Sequence, residues 1–117
     1  MNIISIVNQK GGVGKTTTAI NISTFIAETG KKILLVDLDP QGNATTGLGI
    51  FKKDLNKSVC DVLFDDLDVS EVIIGNVYKN LDIVPSKVEL SLSEMILQQK
   101  KEKELQLYTT LNTIYKI

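Results

Sequence analysis

The stretch Asn8-Gln9-Lys10-Gly11-Gly12-Val13-Gly14-Lys15-Thr16-Thr17 constrains the fold more than any other part of this chain. An almost wholly apolar run, residues 3–7, precedes it, and apolar residues at helical spacing follow from Lys15 onward. Strand, glycine turn and helix in that order are the context in which a G-x-x-x-x-G-K-[ST] pattern signals phosphate binding. The match departs from that pattern at one point: Gln9 stands where the first glycine is usual. A second lysine, Lys10, also precedes the glycines. With Gly11, Gly12 and Gly14 relaxing the steric limits, the backbone from Lys10 through Val13 to Gly14 is expected to curl with its N–H groups inward, around a β-phosphate. The positive end of the helix dipole adds to that attraction. Lys15 would place its charge between the β- and γ-phosphates, the Thr16 hydroxyl would ligate Mg²⁺, and Thr17 would donate to the α-phosphate.

The rest of the chain alternates between strand and helix. The first helix is expected over 15–29, with Ala19, Ile22 and Ile26 inward and Gly30 as its stop. Residues 3–7 and 33–36 are apolar enough to be strands buried on both faces of a parallel sheet. Pro40, Gly42, Gly47 and Gly49 make 37–49 a long loop. A short helix capped by Ser58 is expected over 58–64, another around 70–74, and a strand over 81–84 closed by Pro85. From about Leu90 the pattern is helical, and Lys100-Lys101-Glu102-Lys103-Glu104 reads as a solvated helix face. The fold class is therefore α/β: a parallel sheet with flanking helices, within a single domain.

Charge and cysteine content close off several functions. The net charge of −1 gives the segment as a whole no electrostatic reason to bind nucleic acid or an anionic membrane. All 13 basic residues are lysine, so a cation acting on a phosphoryl group must be a lysine or a metal. Cys60 stands alone, which rules out an internal disulfide and a cysteine-only zinc site within one chain; it reads as a buried structural thiol. The opening residues lack the basic start and cleavage site of a signal peptide, and no apolar run approaches a membrane span. The cytoplasm is the expected compartment.

K-G-G-x-G-K-T, Lys10 to Thr16, resembles the deviant Walker A motif of the ParA/MinD group of ATPases, to which the nitrogenase iron protein and the arsenite-pump ATPase also belong. The resemblance implies ATP and Mg²⁺ as cofactors. It implies an ATP-dependent homodimer in which Lys10 reaches the partner's phosphates, taking the role an arginine finger fills elsewhere. The segment Leu34-Leu35-Val36-Asp37-Leu38-Asp39-Pro40-Gln41-Gly42-Asn43 resembles the first switch segment of that group, at the strand end where open α/β sheets bind ligands. By resemblance Asp39 orients or activates the attacking water and Asp37 lies nearer the Mg²⁺ shell. Catalytic residues are thus Lys10, Lys15 and Asp39, and the metal-binding residues are Thr16 and Asp37.

The run D-P-Q-G-N-A-T-x-G-L-G, from Asp39, is similar to the ParA/Soj partition ATPases more than to MinD or the iron protein. Residues 81–90, L-D-I-V-P-S-x-V-E-L, are similar to the third-strand segment of ParA. The likeness runs over about residues 1–97. It implies nucleoid-associated partition of a chromosome or plasmid, with a ParB-type centromere-binding partner and nonspecific DNA contacts. The chain opens on its first strand, without the helix-turn-helix arm of larger plasmid ParA proteins. It also shows no Walker B strand, which in the family inserts between the first two strands. The expectation is the N-terminal part of a protein about twice as long, with its DNA-binding surface beyond residue 117 and little activity by itself. The alternatives are a membrane-associated positioning ATPase of the MinD type and an inactive remnant.

Overall fold

The computed structural model describes residues 2–87. The helical pattern expected from about Leu90, with its charge run, lies outside the described residues. Helix α1, Lys15–Glu28, starts at Gly14 and stops as Gly30 turns to φ +89°. Its sharp end follows from that glycine, since a left-handed residue costs glycine little. The inward face differs from the expected one: Ser23 and Ala27 are buried, whereas Ile22 is exposed. A small-residue face lets α1 lie close on the sheet, where it packs against two of the strands.

Those strands are β1, Ile33–Val36, and β3, Leu81–Val84, paired in parallel with Ile33 opposite Leu81 and Val36 opposite Val84. A strand the sequence did not suggest, β2, Ile74–Tyr78, pairs antiparallel with β3, so the sheet runs β1-β3-β2 and is mixed. The helix expected around 70–74 is only a 3₁₀ turn, Val69–Glu71, that leads into β2. Gly75 and Asn76 break the apolar alternation of β2, which hid it. They form a bulge in which Asn76, at φ +56°, donates its N–H to Asp82 Oδ1 at 2.7 Å. Lys79 and Asn80 close the hairpin, and the Asn80 amide donates to the Ala27 carbonyl at the end of α1.

Among the described residues, 3–7 form no ladder, which corrects the expected first strand. Ile4 and Val7 are 70% and 84% exposed, far from the burial expected of them. A strand exists by exchanging N–H and C=O groups with a neighbour. The pairing of β1 is with β3, and no described strand lies beside residues 3–7.

Helix α3, Val59–Phe64, forms as expected. Ser58 caps it, accepting from the Cys60 N–H, while Asp61 accepts from the Ser58 N–H at 2.6 Å. It packs Val59, Cys60, Val62 and Leu63 with Val69, Val72 and Val84, and against Leu34 and Val36, into the main apolar core. Cys60 is a buried thiol, as its isolation suggested. Within the expected loop 37–49 lies a further helix, α2, Asn43–Gly47. Ile20 of α1 meets it at Gly47, where a Cβ would stand 2.7 Å from the isoleucine methyl.

Candidate functional site

The glycine turn enters α1 directly. Gly12 and Gly14 take φ +70° and +92°, conformations in which a side chain is strained. No heavy atom lies within 4 Å of where a Cβ would stand on Gly11, Gly12 or Gly14. These glycines therefore serve backbone curvature and the open space above it, and no packed neighbour requires them. Asn8 opens the turn by accepting the Lys10 N–H at 2.9 Å. The Lys15 ammonium folds back to donate to the Lys10 carbonyl at 2.8 Å. This holds its charge over the curled backbone at the N-terminal end of α1, where phosphates are favoured. Lys10 itself is exposed, and its ammonium has no ion-pair partner among the described residues. Val13 is exposed, Thr16 is half-buried and Thr17 is exposed.

The two carboxylates sit where β1 ends, a point the parallel pairing with β3 makes rigid. The Asp37 N–H continues that pairing to the Val84 carbonyl. Asp37 is buried, with its charge met by donors on both oxygens. Oδ2 accepts the Thr45 N–H at 2.8 Å and the Thr45 hydroxyl at 2.6 Å, and Oδ1 accepts the Asp39 N–H at 3.0 Å. Asp37 thereby caps α2 from a distance, because Gly42 at the N-cap has no side chain to offer. Asp39 is half-buried; its Oδ1 accepts the Gln41 N–H at 2.9 Å and its Oδ2 the Asn43 amide at 2.8 Å.

Three residues that the sequence analysis did not single out, Thr45, Lys52 and Ser86, hold this loop in place. The buried Ser86, just past β3, donates its N–H to Thr45 Oγ1 at 3.0 Å and its hydroxyl to the Asp39 carbonyl at 2.7 Å. The Lys52 ammonium donates to the Gln41 carbonyl, and Gly42 passes so close that a Cβ would stand 2.8 Å from the Ser86 oxygen. The only signal for Thr45 and Ser86 was their place inside the quoted D-P-Q-G-N-A-T and V-P-S runs.

The structure thus forms two groups, Lys10 to Thr17 at the start of α1 and Asp37 with Asp39 at the end of β1. No hydrogen bond joins them among the described residues. The curled, glycine-lined backbone with its lysine fits a polyphosphate. Thr16 and Asp37 offer hard oxygen donors, and no group of three acidic or histidine side chains gathers among the described residues. That donor set fits Mg²⁺ held largely by phosphates and water, its usual habit.

The AAA domain family matches residues 1–116. The sporulation initiation inhibitor protein Soj of Bacillus subtilis is 47% identical over 112 residues, covering 96% of this chain and 44% of Soj. The chromosome partitioning protein ParA of Caulobacter vibrioides is 40% identical over 114 residues, covering 97% of this chain and 43% of that protein. A crystal structure described as cobyrinic acid a,c-diamide synthase from Mycobacterium smegmatis, with bound ADP and magnesium, superposes with a TM-score of 0.88. It is 36% identical and covers 92% of this chain and 44% of that one. The chain spans less than half the length of these curated relatives.

Proposed function

Since the chain belongs to the AAA domain family and, within it, to the ParA/Soj group, we propose that it carries the phosphate-binding part of a Mg²⁺-dependent partition ATPase. The observation that carries this reading is the turn of Gly12 and Gly14 with the Lys15 ammonium folded over it. ATP supplies the phosphoanhydride bond that is cleaved. Backbone N–H groups of Lys10 to Gly14 bind the β-phosphate, Lys15 the β- and γ-phosphates, and the Thr17 hydroxyl the α-phosphate. Thr16 and Asp37 hold the metal, and Asp39 orients the attacking water. The exposed Lys10 reaches the phosphates of a second subunit, so the active form is an ATP-dependent homodimer.

In the whole protein this cycle would act in the cytoplasm on the nucleoid, with nonspecific DNA held beyond residue 117 and a ParB-type partner stimulating hydrolysis. The greater identity to Soj supports partition over synthase chemistry. No helix among the described residues is long and apolar enough to cross a membrane. The decisive experiment is titration of a fluorescent ATP analogue with Mg²⁺ against the chain and its Lys15→Ala variant. Binding should be lost in the variant; binding that survives Lys15→Ala overturns the assignment.

A further inference from the structure

Asp37 has about four lone-pair directions, and their occupancy is uneven. Oδ2 takes two donors, both from Thr45, while Oδ1 takes one, from the Asp39 N–H. The Thr45 hydroxyl has no freedom in the matter. Its oxygen accepts the Ser86 N–H, so its single proton is directed to Asp37. Thr45 and Ser86 are both fully buried, and β3 holds Ser86 in place through its pairing with β1.

We propose that Thr45, oriented by the Ser86 N–H, is a positioning residue of the magnesium–nucleotide site. It saturates Oδ2 of Asp37 and leaves Oδ1 as the oxygen open to the metal or to its bound water. This rests on the nucleotide-site reading above and goes beyond it. The aspartate's presence is not sufficient, because its rotation is set from α2 and from the end of β3. Without the hydroxyl, the carboxylate keeps the two backbone N–H groups of Thr45 and Asp39 but loses the third bond that fixes its rotation and occupies the second lone pair of Oδ2, and metal binding weakens while phosphate binding by the glycine turn does not.

The test is the Mg²⁺ concentration that half-maximally enhances binding of a fluorescent ATP analogue to the full chain, alongside the analogue's affinity without metal. Thr45→Val, nearly isosteric, and Thr45→Ala should each require about tenfold more Mg²⁺, the effect of losing one hydrogen bond to a charged group. Their metal-free affinity should stay at the original value, and Thr45→Ser should restore the original Mg²⁺ response. Folded Val and Ala variants with an unaltered Mg²⁺ response overturn the proposal. So does equal loss of binding with and without metal, or loss of the folded circular-dichroism signal in both, since Thr45 would then serve folding alone. If the original chain fails to bind the analogue, or binds it regardless of Lys15→Ala, the nucleotide reading fails and takes this inference with it.

Discussion

Lys10 and Lys15 share one turn yet are differently placed. The Lys15 ammonium is bonded within the turn, whereas the Lys10 side chain stands in solvent. That contrast fits the proposed cis role of Lys15 and trans role of Lys10. In a complete ParA-type domain, Lys10→Ala is expected to keep ATP binding while losing ATP-dependent dimers. Asp39→Ala should instead accumulate ATP-bound dimers that hydrolyse slowly. Sedimentation with ATP measures both, and a Lys10→Ala protein that dimerises normally contradicts the trans role. Gly42 belongs to the same scale. At φ +61°, with the Ser86 carbonyl 2.8 Å from a would-be Cβ, Gly42→Ala combines backbone strain with a backbone clash. It should cost about 2 kcal/mol, read as a lowered urea midpoint.

At the scale of elements, α3 depends on its first turn. Ser58 is buried, accepts from the Cys60 N–H and donates its own N–H to Asp61. Ser58→Ala leaves a buried donor without its acceptor and should destabilise the chain by about 1–2 kcal/mol. The effect should reach β1 and β3, because α3 supplies four residues of the core they share. A weaker tie joins α1 to the hairpin, where the exposed Tyr78 hydroxyl donates to Glu28 at 2.7 Å. That bond to the carboxylate, and then the carboxylate's charge, hold the phenol above its ordinary range. A raised pKa stabilises the folded state while the phenol is protonated. The contribution is therefore present at neutral pH and lost as the solution becomes strongly alkaline and the phenol ionises. Comparing melts at neutral and alkaline pH with Tyr78→Phe should show the larger alkaline loss in the unaltered chain.

At the scale of the molecule, several large apolar side chains remain exposed among the described residues. Ile3, Ile4, Val7 and Phe25 are more than half exposed, and residues 3–7 are paired with nothing described. Among the described residues, 3–7 do not pair with β1, whose neighbour is β3. Unpaired backbone and exposed apolar side chains favour association. Residues 1–117 alone should sediment as concentration-dependent oligomers and hydrolyse no ATP above background. A monomer at high concentration with steady turnover that Lys15→Ala removes contradicts this.

What could be determined from the sequence alone was whatever depends on local chemistry. Gly12, Gly14 and Lys15 dictate a curled turn into a helix, Ser58 and Asp61 a helix start, and Ile33–Val36 and Leu81–Val84 strands. The family was legible for the same reason, because its motif is contiguous. Tertiary structure decided what depends on distant partners. Strand β2 exists because β3 and the Asp82 carboxylate accommodate the Gly75-Asn76 bulge, a compensation no local propensity contains. Residues 3–7 have strand composition but find no strand neighbour among the described residues. The orientation of Asp37 is likewise set by Thr45, eight positions on, and by Ser86, 41 positions beyond Thr45. A hydrogen bond depends on where the chain returns in space, and only parallel pairing of β1 with β3 brings those three residues together.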